Sequence, residues 1–63
     1  MTTIYNTRSN NELVLLNITK GGTYKVQYVN RTSKGYEKVG GIYGWDQDFF
    51  NEVVVGEFME KVI

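Results

Sequence analysis

A run of alternating apolar and polar residues limits the fold of this chain more than any other feature of its sequence. Residues 23–31 read Thr-Tyr-Lys-Val-Gln-Tyr-Val-Asn-Arg and alternate as far as Val29, which is typical of a strand with one buried face. A second apolar and partly β-branched run, 12–19, precedes it, and Gly21-Gly22 lies between the two. Glycine adopts the positive φ of a tight primed turn without steric cost. The pattern therefore predicts a β-hairpin with a two-residue turn.

Two further segments extend this hairpin into an antiparallel sheet. Residues 32–35 resemble a longer hairpin loop that ends in a left-handed glycine, and a third strand is predicted from Tyr36 to about Tyr43. Gly40-Gly41 within this strand would weaken the ladder and indicates a bulge or a close backbone approach. Residues 2–8 have strand propensity and precede the turn-forming Ser-Asn-Asn of 9–11, so we expect an additional strand at the sheet edge.

The last third of the chain is compatible with two structures. Asp46 is a good N-cap, Asp48 adds negative charge in a first turn and Lys61 adds positive charge in a last turn, which favours a helix over about 46–61. Its apolar stripe would comprise Phe50, Val54, Phe58 and Val62. Against this helix, the valines of 53–55 and the following glycine cost roughly 2–3 kcal/mol relative to alanine.

We therefore predict an α+β fold, in which a small antiparallel β-meander of three to four strands is followed by one C-terminal helix. The alternative is a small all-β barrel with a short helical turn near 46–51 and a final strand over 53–62. A chain of 63 residues buries only about 60% of the surface that its unfolded form exposes. We accordingly expect one domain, 1–63, and a homodimer as a route to further burial.

The composition excludes most enzyme classes. The chain has no cysteine and no histidine, so thiolate nucleophiles, imidazole bases and the usual zinc ligands are missing. The D-x-D of Asp46 and Asp48 does not continue as a calcium loop, because Phe50 and Asn51 stand where an oxygen ligand and glycine are required. We expect no enzyme activity, no cofactor and no metal.

The lengths of the apolar runs predict the cellular location. The longest apolar run is Leu13-Val14-Leu15-Leu16, shorter than the roughly 7–15 residues of a signal peptide or the about 20 of a membrane span. We expect a cytoplasmic protein with no membrane partner.

The charges are segregated along the chain although they balance overall. Residues 1–41 carry six basic and two acidic side chains, and residues 42–63 carry five acidic and one basic, so the segments have net charges of +4 and −4. If Tyr24, Val26 and Tyr28 face the core, four side chains point to the other face of the sheet: Lys25, Arg31, Tyr36 and Lys38. Cations interleaved with an aromatic ring are typical of single-stranded nucleic-acid binding, which is one predicted function.

The acidic segment supports another function, which we prefer. Its candidate partner-binding residues are Trp45, Asp46, Asp48, Phe49 and Glu52. Aromatic anchors are frequent interface hot spots, and an acidic rim steers a protein towards a basic surface. We predict a non-enzymatic protein-interaction module, in size and composition like the small phage-type proteins that bind and modulate or inhibit a host protein.

Overall fold

The computed structural model describes the backbone of residues 2–60 and the side chains of residues 3–56. The elements follow in the order β1 (Thr2–Thr7), β2 (Glu12–Ile18), β3 (Tyr24–Thr32), β4 (Gly35–Trp45), α1 (Gln47–Val53) and β5 (Val54–Glu60). Five strands and one short helix confirm the predicted α+β class.

All strand pairs in the single sheet are antiparallel, and the spatial order is β4-β3-β2-β1-β5. Strands β4 and β5 are the two outermost strands and do not pair with each other over residues 2–60. The sheet is therefore open, so the closed barrel of the alternative prediction is wrong. The short helical turn and the final strand of that alternative do form, as α1 and β5. The strand predicted for the edge, β1, is an interior strand because β5 pairs along its other side.

Both predicted hairpins form, but their turns differ from the expected ones. Between β2 and β3, the Thr19 N–H donates to the Thr23 carbonyl over 2.8 Å and the Gly22 N–H donates to the Thr19 carbonyl over 2.9 Å. These bonds define a three-residue loop, in which Gly22 alone of the glycine pair has a positive φ, +91°. This arrangement is the second common way to join antiparallel strands. The β3–β4 turn is shorter than predicted, because Thr32 pairs directly with Gly35.

Strand β4 contains the predicted bulge. It pairs regularly with β3 from Gly35 to Val39 and again from Tyr43 to Trp45, but residues 40–42 lie opposite Gln27 alone. Gly40 has φ +73° there, and its carbonyl accepts a 2.8 Å hydrogen bond from the Gln27 side chain. A left-handed glycine thus accommodates the extra residues in one strand.

The helix begins where the sequence predicts but ends early. Asp46 is its N-cap and accepts a 2.8 Å hydrogen bond from the Phe49 N–H. The predicted helix over about 46–61 is wrong beyond Val53, because Val54 is extended (φ −87°, ψ 147°) and starts β5. The β-branched valines favour a strand, whose backbone groups bond β1. The end of the predicted range, at Lys61 and Val62, lies outside the described residues.

The sheet has a buried cluster on each face. On the face that carries α1, the helix face, Leu13, Val26 and Phe50 are buried. The Phe50 ring packs edge-on to Tyr5 at a centroid distance of 5.0 Å and against Tyr24 at 4.8 Å. The buried residues of the opposite face are Ile4, Val14 and Val29. The helix thus covers part of one face of the sheet, and β4 lies at the margin of the core.

Candidate interaction surfaces

An aromatic surface lies where β4 leads into α1. Tyr43 and Trp45 are two residues apart in β4, so their side chains share the helix face. Their rings stack at a centroid distance of 6.2 Å, and Trp45 meets Phe49 of the helix edge-to-face at 5.0 Å. Tyr43 is 48% exposed and Phe49 is 47% exposed, whereas Trp45 is half-buried. We call these three residues the aromatic surface.

Three carboxylates lie in and beside α1, the helix that carries Phe49. Asp46 is exposed although it caps the helix, and Asp48 and Glu52 are exposed one helical turn apart. The guanidinium of Arg8 lies at the other end of the helix, where its Nε donates to the Glu52 carbonyl over 2.7 Å. We call Asp46, Asp48 and Glu52 the acidic rim. The structure thus brings together all five residues that the sequence predicted for partner binding.

Sequence reasoning missed Tyr43 and the groove beside it, to which β3 and β4 both contribute. A shallow groove of about 300 Å³ adjoins the aromatic surface at Tyr43. Its lining includes Tyr28, Val39, Gly40, Asn11 and Asn30. The Tyr28 ring meets Tyr43 edge-to-face at 6.0 Å. Side chains two residues apart in a strand point to the same face, so the position of Trp45 could have identified Tyr43 as its neighbour. The groove could not be predicted in this way, because it depends on the register between strands.

The four residues predicted for nucleic-acid binding share the face opposite α1, which we call the basic face. Register places Arg31 opposite Tyr36, Lys38 opposite Val29 and Lys25 opposite Gly44, and directly paired residues point to the same side. Their charges are not equally accessible. Arg31 donates from Nε and Nη2 to the Glu12 carboxylate at 3.1–3.2 Å, so a carboxylate neutralises one of the three cations of this face.

No group of three or more acidic side chains in residues 3–56 could share a metal ion. Ser9 and Ser33 are exposed and lie in turns or bends.

No helix among the described residues is long and apolar enough to cross a membrane.

Comparison of the chain with protein-family models, with characterised proteins and with solved structures gives no match.

Proposed function

We propose that this protein is a non-enzymatic interaction module that binds a partner protein through the aromatic surface and the acidic rim. The observation that carries the proposal is the continuous contact of Tyr43, Trp45 and Phe49, two of which are about half exposed. Rings that could have been buried in a core instead contact each other at the surface. Exposed apolar patches with a polar border are typical of interaction sites.

The chemistry of the rim indicates the partner. Three carboxylates beside three rings favour a cationic side chain, since a guanidinium stacks on an aromatic face and pairs with a carboxylate. The partner would therefore present an apolar contact surrounded by arginine or lysine. Occupation of such a surface would modulate or inhibit the partner, and nucleic-acid sites of proteins have this basic character.

The segment is also held in one shape before it binds. Asp46 fixes the first turn of α1 through the Phe49 N–H, and Phe50 ties the helix to the core on its other side. A surface that is ordered in advance loses less conformational entropy on binding.

The test is partner capture with matched variants. The protein is immobilised, and the proteins that it retains from a cell lysate are identified by mass spectrometry. The same experiment is carried out with two variants of the proposed site, Phe49→Ser and Asp48→Lys. Val55→Ser is the control, because Val55 is 51% exposed but lies in β5 at the opposite edge of the sheet. We expect a protein that the native chain and V55S retain, that F49S and D48K lose, and that elutes with salt. Equal retention by F49S, or no enriched protein, would refute the proposal.

Single-stranded nucleic-acid binding is a second candidate, favoured by the common face of Lys25, Tyr36 and Lys38. Reversing Arg31 would also leave Glu12 without its ion pair, so Lys25→Glu with Lys38→Glu is the cleaner variant. We expect oligonucleotide anisotropy at low salt to report binding that this double variant loses. Absence of binding by the native protein under those conditions would eliminate this candidate.

A further inference from the structure

The groove between β3 and β4 is a concave part of the helix face. Tyr28 and Val39 are paired directly across the two strands and line the groove, and Tyr43 joins it to the aromatic surface. The Tyr28 ring is half-buried, whereas Val39 and Tyr43 are exposed. With a volume of about 300 Å³, the groove lies at the lower limit of ligand pockets, which measure about 300–1,000 Å³. This size suits one long side chain.

The polar groups of the groove are mainly hydrogen-bond acceptors. Asn11 and Asn30 contribute side-chain amides. Gly40 contributes a carbonyl that accepts one hydrogen bond, from Gln27, and has a second lone pair. The charged residue of the lining, Glu12, is acidic, and among the described residues that line the groove none is a lysine or an arginine. The groove therefore suits a ligand that is positively charged and donates hydrogen bonds.

Glu37 adds a carboxylate beside the groove. It is paired directly with Asn30, and paired residues point to the same side of a sheet. Glu37 is also two residues from Val39, so both side chains lie on the helix face. It is exposed and forms no ion pair with another residue in the described part of the chain. The cations of neighbouring strand positions, Arg31 and Lys38, lie on the basic face and leave this carboxylate available to a ligand.

We propose that this groove binds the guanidinium group of one arginine side chain of the partner, an inference that rests on the proposed function. The rings of Tyr28 and Tyr43 lie 6.0 Å apart at an angle of 78°. A planar guanidinium stacks on a ring face while its N–H groups donate to a carboxylate such as that of Glu37. A lysine ammonium pairs with the carboxylate but has no planar group to stack. The site therefore selects arginine over lysine.

A single blocked amino acid tests the groove without the partner. Acetyl-arginine methylamide is titrated at low salt into isotopically labelled protein, and the backbone amide shifts are followed by NMR, with acetyl-lysine methylamide as the comparison. A ligand of this size binds in the millimolar range. We expect saturable shifts at Asn30 and Gly40, and binding of the lysine probe that is about threefold weaker. The absence of saturable shifts, shifts that lie mainly outside the groove, or equal binding of both probes would overturn the proposal.

Two neighbouring residues of β4 provide a matched pair of charge variants, because they point to opposite faces. We expect Glu37→Gln to raise the dissociation constant of the arginine probe about threefold to fivefold, the size of an exposed ion pair. Lys38→Gln removes a charge from the basic face and should not raise it. Tyr43→Leu keeps an apolar side chain but removes the ring, and should weaken binding about threefold. Circular dichroism verifies the fold of each variant. Native affinity in both E37Q and Y43L would overturn the proposal.

The arginine titration and the partner capture can fail independently. Phe49 is not part of the groove lining, so F49S should bind the arginine probe as the native protein does, although it should lose the captured partner. Capture that depends on Phe49 without any arginine binding would overturn the guanidinium site and leave the proposed function intact. Arginine binding by a protein that captures no partner would refute the proposed function and support the guanidinium site.

Discussion

Removal of two adjacent phenylalanines in α1 should destabilise the fold by very different amounts. Phe50 is 5% exposed and packs between Tyr5 and Tyr24, with ring centroids 5.0 and 4.8 Å away. Phe49, the next residue towards the N-terminus, is 47% exposed and contacts Trp45. Replacing each by alanine removes the same atoms from the same helical turn. The difference between the variants therefore measures burial alone.

The expected magnitudes follow from these environments. A buried Phe→Ala substitution costs about 3–5 kcal/mol, including the cavity that it leaves. Full burial of a phenylalanine contributes about 1.5–3 kcal/mol, so a half-exposed Phe49 should contribute about 1 kcal/mol. A chain of 63 residues at about 0.05–0.15 kcal/mol per residue has a total stability of roughly 3–9 kcal/mol. Phe50→Ala should thus remove half or more of the free energy of unfolding.

Urea unfolding followed by far-UV circular dichroism measures both variants. The protein concentration must be held constant, because dimerisation would shift the apparent stability. We expect Phe50→Ala to lose most of its unfolding transition, and Phe49→Ala to keep it while losing partner capture. Costs within about 1 kcal/mol of each other would refute the assignment of Phe50 to the core and Phe49 to the surface.

Three further substitutions test the local features that shape the helix and the first hairpin. Arg8→Ala removes the hydrogen bond to the Glu52 carbonyl and should lower the free energy of unfolding by about 1 kcal/mol, measured with urea. An unchanged urea midpoint would mean that this bond adds nothing to the stability. Asp46→Ala should cost about 1 kcal/mol through loss of the N-cap, whereas Asp46→Asn should retain most of it. Equal losses by circular dichroism would contradict capping as the cause. Gly22→Ala should cost about 1 kcal/mol because φ is +91°. Gly21→Ala, at a residue whose φ is not positive, is the thermal-unfolding control and should change the stability little.

Local sequence patterns predicted the strands well because each pattern reports a local physical preference. The alternation of β3 predicted an extended strand, and its buried members Val26 and Val29 lie in two clusters on opposite faces of the sheet. The cluster on the face opposite α1 was not predicted, because the alternation was interpreted as a strand with a single buried face. A sheet with buried residues on both faces produces a less regular pattern than one with a solvated face.

The part of the candidate site that depends on local structure was also predictable. Residues 45–52 are consecutive, so the neighbourhood of Trp45, Asp46 and Phe49 follows from a helical turn. The groove beside Tyr43 and the pairing of Arg31 with Glu12 join residues distant in the chain. Only the register of the strands brings such residues together.

The sequence by itself determined where α1 begins, and only the tertiary structure decided where it ends. Asp46 caps the first turn with its own side chain, a contact over three residues that any isolated segment could form. The last turn is completed by Arg8, whose backbone N–H bonds the Val53 carbonyl at 2.9 Å and whose side chain bonds the Glu52 carbonyl. Beyond it, the chain pairs with β1, because that strand offers an unpaired side and β-branched valines favour a strand. A helix start is local, whereas this helix end depends on a strand more than forty residues earlier.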